Sequence, residues 1–142
     1  MNIGIGVGIE KEADFYVMSE RALNTFSKEE AERYVSFGTK KIEEVIKVPL
    51  LSINEVIEKN FASTPNFISL DVEGLDLAIL QTVDFDKYRP EVFCIETITY
   101  REDKTEEKCQ DIIDFMKEMD YFVYADTYIN SIFVDKKMWA KR

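Results

Sequence analysis

Asn66-Phe-Ile-Ser-Leu-Asp71-Val-Glu73-Gly74-Leu-Asp76-Leu-Ala-Ile-Leu-Gln-Thr-Val83 is the stretch on which the reading of this chain turns. Phe67, Ile68 and Leu70 are apolar and strand-prone, which predicts a short buried strand. Gly74 interrupts that run, and Leu75, Ile79, Leu80 and Val83 then recur at helical spacing. The pattern is a strand, a turn and a helix, with Asp71 and Glu73 placed where the strand gives way. Ligands of α/β sheets collect at that carboxyl end of a strand, so these acids are the first candidates for chemistry.

Moving outward, Tyr88-Arg89-Pro90 stops the helix, and Val92-Phe-Cys-Ile-Glu96 predicts a second buried strand that also ends on an acid. If the two strands are parallel neighbours, Asp71, Glu73 and Glu96 converge on one crevice. Convergent carboxylates can hold a hard cation such as Mg²⁺, or serve as a general base whose pKa is raised by like-charge crowding. The plainer alternative is that Asp71 caps the following helix and Glu73 interacts with its dipole.

Downstream, Thr105 is placed to cap a helix with the face Cys109, Ile112, Ile113, Met116 and Met119. Tyr121–Ala125 and Ser131–Val134 then form two strands, separated by a hairpin-length connection from Asp126 to Asn130. Asn130 reads as a turn residue tolerating a left-handed conformation, with substrate contact as the alternative. Tyr100, Arg101 and Tyr128 fall in loops at the rim of the sheet, as site residues or as plain surface.

Upstream, Ile3, Ile5, Val7 and Ile9 alternate with Gly4, Gly6 and Gly8, a period that fits a strand whose other face is crowded by neighbouring backbone. A dinucleotide cradle needs a strand before these glycines and a helix after them, and Glu10-Lys-Glu12 follows instead. Phe15–Met18 is a further strand. Ser27 with Glu30 is a capping box that opens a helix with the face Ala31, Tyr34 and Val35, closed by Gly38. Ile42–Leu51 is strand-prone, with Pro49 pointing to an edge position. Ser52 with Glu55 opens a short helix that ends near Asn60. Two strand–helix steps and a terminal hairpin predict an open doubly wound α/β sheet, mainly parallel, with a reversed edge strand.

The composition narrows the functions. The 142 residues make one domain by length, with 46% hydrophobic and 13% aromatic residues, as in ordinary globular proteins. Eighteen basic against 28 acidic residues leave a net charge of −10, which disfavours phosphate backbones and anionic lipid; neither nucleic acid nor membrane is an expected partner. There is no histidine, and Cys94 and Cys109 have no metal-ligand spacing. Both read as reduced core thiols, consistent with a cytoplasmic location.

The residues now assembled resemble the FkbM family of S-adenosylmethionine-dependent methyltransferases. The resemblance is carried by Phe67-Ile-Ser-Leu-Asp71-Val-Glu73-Gly74-Leu-Asp76-Leu-Ala-Ile-Leu80, by Pro90-Glu-Val-Phe-Cys-Ile-Glu96, and by Tyr121–Val134 with Asn130 before the last strand. Val48-Pro-Leu-Leu-Ser-Ile-Asn-Glu-Val-Ile57 matches the segment just upstream. The likeness implies a Rossmann-like sheet with helices on both faces and a C-terminal antiparallel hairpin. It implies methyl transfer from S-adenosylmethionine to a hydroxyl of a sugar or other natural-product acceptor. Asp71, Glu73 and Glu96 would be catalytic, Asp71 and Glu96 would hold any divalent cation, Ile5 and Gly6 would pass the cofactor's adenine, and Asn130 would meet the acceptor.

The family's glycine-rich first motif, Asp-x-Gly-Ala-x-x-Gly, and the acid that holds the ribose have no counterpart here. Residues 1–142 therefore resemble a partial, N-terminally truncated methyltransferase domain beginning near its third strand. The strand before Asp71 would then have an unpaired apolar edge, which invites a second copy or a separate N-terminal polypeptide. Solo activity is in question on this reading. A non-catalytic oligomerising module, and a metal-dependent hydrolase built on the three carboxylates, are the competing functions.

Overall fold

The computed structural model describes residues 3–72, 74–99 and 106–142. Glu73, Tyr100, Arg101 and Thr105 lie outside the described residues. The chain divides into two compact units, Met1–Ser52 and Ile53–Arg142.

The first unit holds β1 (Gly4–Ile5), β2 (Glu12–Met18), α1 (Lys28–Ser36) and β3 (Ile42–Leu51). β3 is central, parallel to β1 and antiparallel to β2, so the edge position inferred from Pro49 is corrected. The Leu50 N–H donates to Lys11 O, on the β2 side. By alternation Pro49 nitrogen faces the other way, where β1 pairs only with Leu50 and Leu51, so no ladder bond is lost. The glycine stretch is crowded, but by side chains: a Cβ on Gly4 would lie 2.7 Å from Leu50 Cδ2 and 2.9 Å from Phe26 Cζ. Only Gly4–Ile5 of the expected strand through Ile9 is extended in a ladder.

α1 starts as its sequence implies, with Ser27 Oγ accepting the Glu30 N–H at 3.2 Å. The box is not reciprocal, because the Glu30 carboxylate accepts from Thr25 Oγ1 at 2.9 Å instead. Gly38, at φ +77°, ends the segment. Ala31 packs with Tyr16 and Met18 and with half-buried Tyr34, whereas Val35 faces outward, contrary to its expected place on the buried face.

The second unit holds α2 (Ile53–Asn60), β4 (Phe67–Leu70), α3 (Asp76–Thr82), β5 (Val92–Glu96), β6 (Ile98–Thr99), β7 (Glu107–Lys108), α4 (Gln110–Glu118), β8 (Tyr121–Asp126), β9 (Asn130–Asp135) and α5 (Lys136–Trp139). β6 and β7 form a small separate ladder, and the main sheet has the order β4-β5-β9-β8. β4 and β5 are parallel, while β9 runs against both β5 and β8. Both larger sheets are thus mixed rather than mainly parallel, and the reversed strand lies inside the sheet rather than at its edge. The burial of the two hairpin strands follows this order: Ser131, Phe133, Val134 and Asp135 of the inner strand β9 are buried, whereas Val123 and Tyr124 of the edge strand β8 are exposed.

One face of this sheet is the core. Phe93 and Tyr121 lie 5.5 Å apart, Phe85 meets Tyr121 at 5.9 Å, and Phe115 of α4 meets Phe85 at 6.1 Å. On the other face Trp139 of α5 stacks against Phe122 and Tyr124 at 5.9 and 5.5 Å. Phe67 alternates onto that second face of the edge strand β4 and is 57% exposed, which corrects its expected burial. Leu75 is also exposed, leaving Ile79, Leu80 and Val83 as the buried side of α3 and its exit.

Candidate active site

The acids of interest stand at the carboxyl ends of β4 and β5. Leu70 lies beside Ile95 in the parallel ladder, so the next step places Asp71 beside Glu96, with strands about 4.8 Å apart. Glu96 is in turn directly opposite Asn130 across the antiparallel β5–β9 ladder. Asp71, Glu96 and Asn130 therefore form a row over three adjacent strands. Asp71 is exposed and Glu96 half-buried. Glu73 lies outside the described residues.

Asn130 opens β9, and the left-handed residue of the hairpin connection is Tyr128, at φ +75°, which corrects the turn role assigned to Asn130. Nor does Asp71 cap the following helix: the residue before α3 is Leu75, and no side chain caps it. The local acceptor is Asp76, whose Oδ2 takes the Gly74 N–H at 3.4 Å. Gly74 sits at φ +97°, a conformation that favours glycine.

Asp76 is a member of this site that sequence reasoning missed. It is 3% exposed, and its Oδ1 has no hydrogen-bond partner among the described residues. Burial pushes its carboxyl above the ordinary aspartate range, and the charge of Asp71 adds to the effect. Cys109, the residue before α4 rather than part of its apolar face, is held above the usual thiol range by burial and then by the charges of Asp76, Glu96 and Asp111. Asp71 thus acts on Asp76, and Asp76 and Glu96 both act on Cys109. The signal for Asp76 was an acid at a first helical position flanked by Leu75 and Leu77.

Beside the row runs a closed ring of hydrogen bonds. Lys108 Nζ donates to Thr97 Oγ1 (3.2 Å), Asp126 Oδ1 (2.9 Å) and Tyr128 O (2.6 Å). Ser131 Oγ donates to Asp126 Oδ2 at 3.3 Å, so the 2.7 Å contact between Thr97 and Ser131 has Thr97 as donor. Lys108 spends all three donors here and holds the hairpin connection against β5. No sequence pattern marks Lys108.

Ile5 and Gly6 belong to the Met1–Ser52 unit, where Ile5 pairs with Leu51 and the Gly6 N–H donates to Leu51 O at 2.9 Å. Gly6 spends its backbone donor in its own ladder. Among the described residues no group of three His, Cys, Asp or Glu side chains is gathered closely enough to hold a metal ion. A depression between α3 and α4 is lined by Leu77, Gln81, Asp111, Asp114, Phe115 and Glu118. No helix among the described residues is long and apolar enough to cross a membrane.

The Methyltransferase FkbM domain family matches residues 1–123. No curated protein and no solved structure matches the chain significantly. With the family match covering most of its length and the Asp71–Gly74 turn inside the matched region, this chain belongs to the FkbM methyltransferase family.

Proposed function

We propose that the chain transfers a methyl group from S-adenosylmethionine to a hydroxyl oxygen of a sugar or another small natural-product acceptor. The observation that carries this reading is the row Asp71, Glu96 and Asn130 at the ends of three adjacent strands, in a chain of a methyltransferase family. When bound, S-adenosylmethionine supplies a methyl group on a positively charged sulfur. Acidic side chains at the strand ends and a net charge of −10 fit a cationic donor and an uncharged, hydroxyl-bearing acceptor better than a phosphorylated one. Asp71 and Glu96 accept hydrogen bonds from hydroxyl groups, and the Asn130 side chain can both donate and accept.

The test is calorimetric titration of S-adenosylmethionine into the full chain, followed by transfer of its labelled methyl group to a panel of methyl glycosides. Saturable heat and labelled product are expected. Asp71→Asn and Glu96→Gln are each expected to lower transfer by about 10–100-fold, the range of a lost hydrogen bond to a charged acceptor. An absence of heat together with concentration-dependent self-association would favour an interaction module instead. That second reading draws on β4, an edge strand without charge, proline or bulge.

A further inference from the structure

We propose that Asp76 is a catalytic residue of this site, its Oδ1 accepting the acceptor's hydroxyl and taking that hydroxyl's proton during methyl transfer. This rests on the methyl-transfer reading above. Native folds bond nearly all of their buried polar atoms, and an unmet one calls for a catalytic use or for a partner from outside the chain. Asp76 is 3% exposed with Oδ1 unmet among the described residues, while Oδ2 is oriented by the Gly74 N–H. The Gly74 N–H accounts for Oδ2 and leaves Oδ1 as the oxygen without a structural use.

Gly74, whose N–H holds Oδ2, is exposed, and a Cβ there would meet nothing within 4 Å among the described residues. Asp71 and Asp76 flank the single turn between β4, which ends at Leu70, and α3, which starts at Asp76, and Asp71 is the member of the row beside Glu96. The charge of Asp71 acts on the Asp76 carboxyl across that turn. Its raised proton affinity, caused first by burial, suits a group that must receive a proton at neutral pH.

The step balances without a further reactant. The hydroxyl's proton passes to Asp76 Oδ1 as the new O–CH₃ bond forms. The S–CH₃ bond breaks with its electron pair left on sulfur, so the sulfonium becomes a neutral thioether. Asp76, now a neutral acid, releases the proton to water.

The experiment compares the wild-type chain with Asp76→Asn in three measurements: thermal unfolding, heat of S-adenosylmethionine binding, and labelled methyl transfer to methyl glycosides of hexoses and 6-deoxyhexoses. The proposal expects Asp76→Asn to melt at or above the wild-type temperature, to bind S-adenosylmethionine equally well, and to lose transfer by about 100-fold or more. A drop in melting temperature beyond about 5 °C makes Asp76 a structural cap and overturns the proposal, as does transfer within about threefold of wild type. Wild-type chain that takes up no heat defeats the methyl-transfer reading itself. Wild-type chain that binds S-adenosylmethionine yet methylates none of the glycosides overturns the hydroxyl acceptor assigned here.

Discussion

Arg89 donates through Nε to Asp135 Oδ2 at 2.5 Å, and Asp135 is fully buried at the end of the sheet opposite the candidate active site. The same guanidinium donates to Met119 O at 2.7 Å and lies 5.1 Å from the centre of the Tyr121 ring. Asp135 Oδ1 accepts the Met138 N–H at 2.7 Å and so caps α5. One ion pair thereby joins the exit of α3, the end of α4 and the last strand. Breaking a buried pair from one side leaves an uncompensated charge. Arg89→Ala is expected to lower the unfolding free energy by about 3–5 kcal/mol, measured by urea denaturation.

The Lys108 ring gives a prediction on the acid side. The hydrogen bond from Lys108 holds the Asp126 carboxyl below the ordinary aspartate range, helped by the Tyr128 N–H. A depressed folded-state value contributes stability above the unfolded value, and that stability is lost as pH falls through the folded one. Lys108→Met is expected to bring the Asp126 carboxyl back toward its ordinary titration and to flatten this acid-side loss. Carboxyl ¹³C shifts followed against pH measure it, and an unchanged Asp126 titration would show that Lys108 does not govern it.

Asp76 carries the opposite sign. Its folded-state carboxyl is raised, chiefly by burial, so the folded chain binds more protons than the unfolded one between the two values. Stability is therefore expected to fall as pH rises from the ordinary aspartate range through the raised value of Asp76. Asp76→Asn removes that slope. Melting temperatures of both proteins across this window decide it, and parallel curves would sink the prediction.

The free side of β4 predicts association. Among the described residues the strand pairs with β5 alone; it contains no charged residue and presents Phe67 outward. Such an edge is a template for another strand. At high micromolar concentration the full chain is expected to scatter light as a species larger than its 16.6 kDa monomer. Phe67→Lys, which costs little in the core because the ring is already exposed, is expected to shift the population toward monomer. A wild-type mass equal to the monomer at these concentrations would rule the association out.

What the sequence determined by itself is local. The strand–turn–helix around Asp71–Gly74, the Ser27 cap, the stop at Gly38, the strand ending on Glu96 and the terminal hairpin all rest on spacings within a few residues, and each is present. Which strand lies inside a sheet is a long-range outcome. Pro49 pointed to an edge, yet β3 is central because β1 pairs beyond the missing N–H; the hairpin's reversed strand is internal because β9 pairs with the distant β5 as well as with its hairpin partner β8. Phe67 and Phe93 read alike in sequence, and their opposite faces and their strands' places in the sheet leave one exposed and the other fully buried. The candidate site divides the same way. Asp71 and Glu96 were legible because each follows an apolar run. The pairing of Glu96 with Asn130, the ring around Lys108 and the burial of Asp76 came only with the tertiary structure, because register and burial are set by strands and helices distant in the chain.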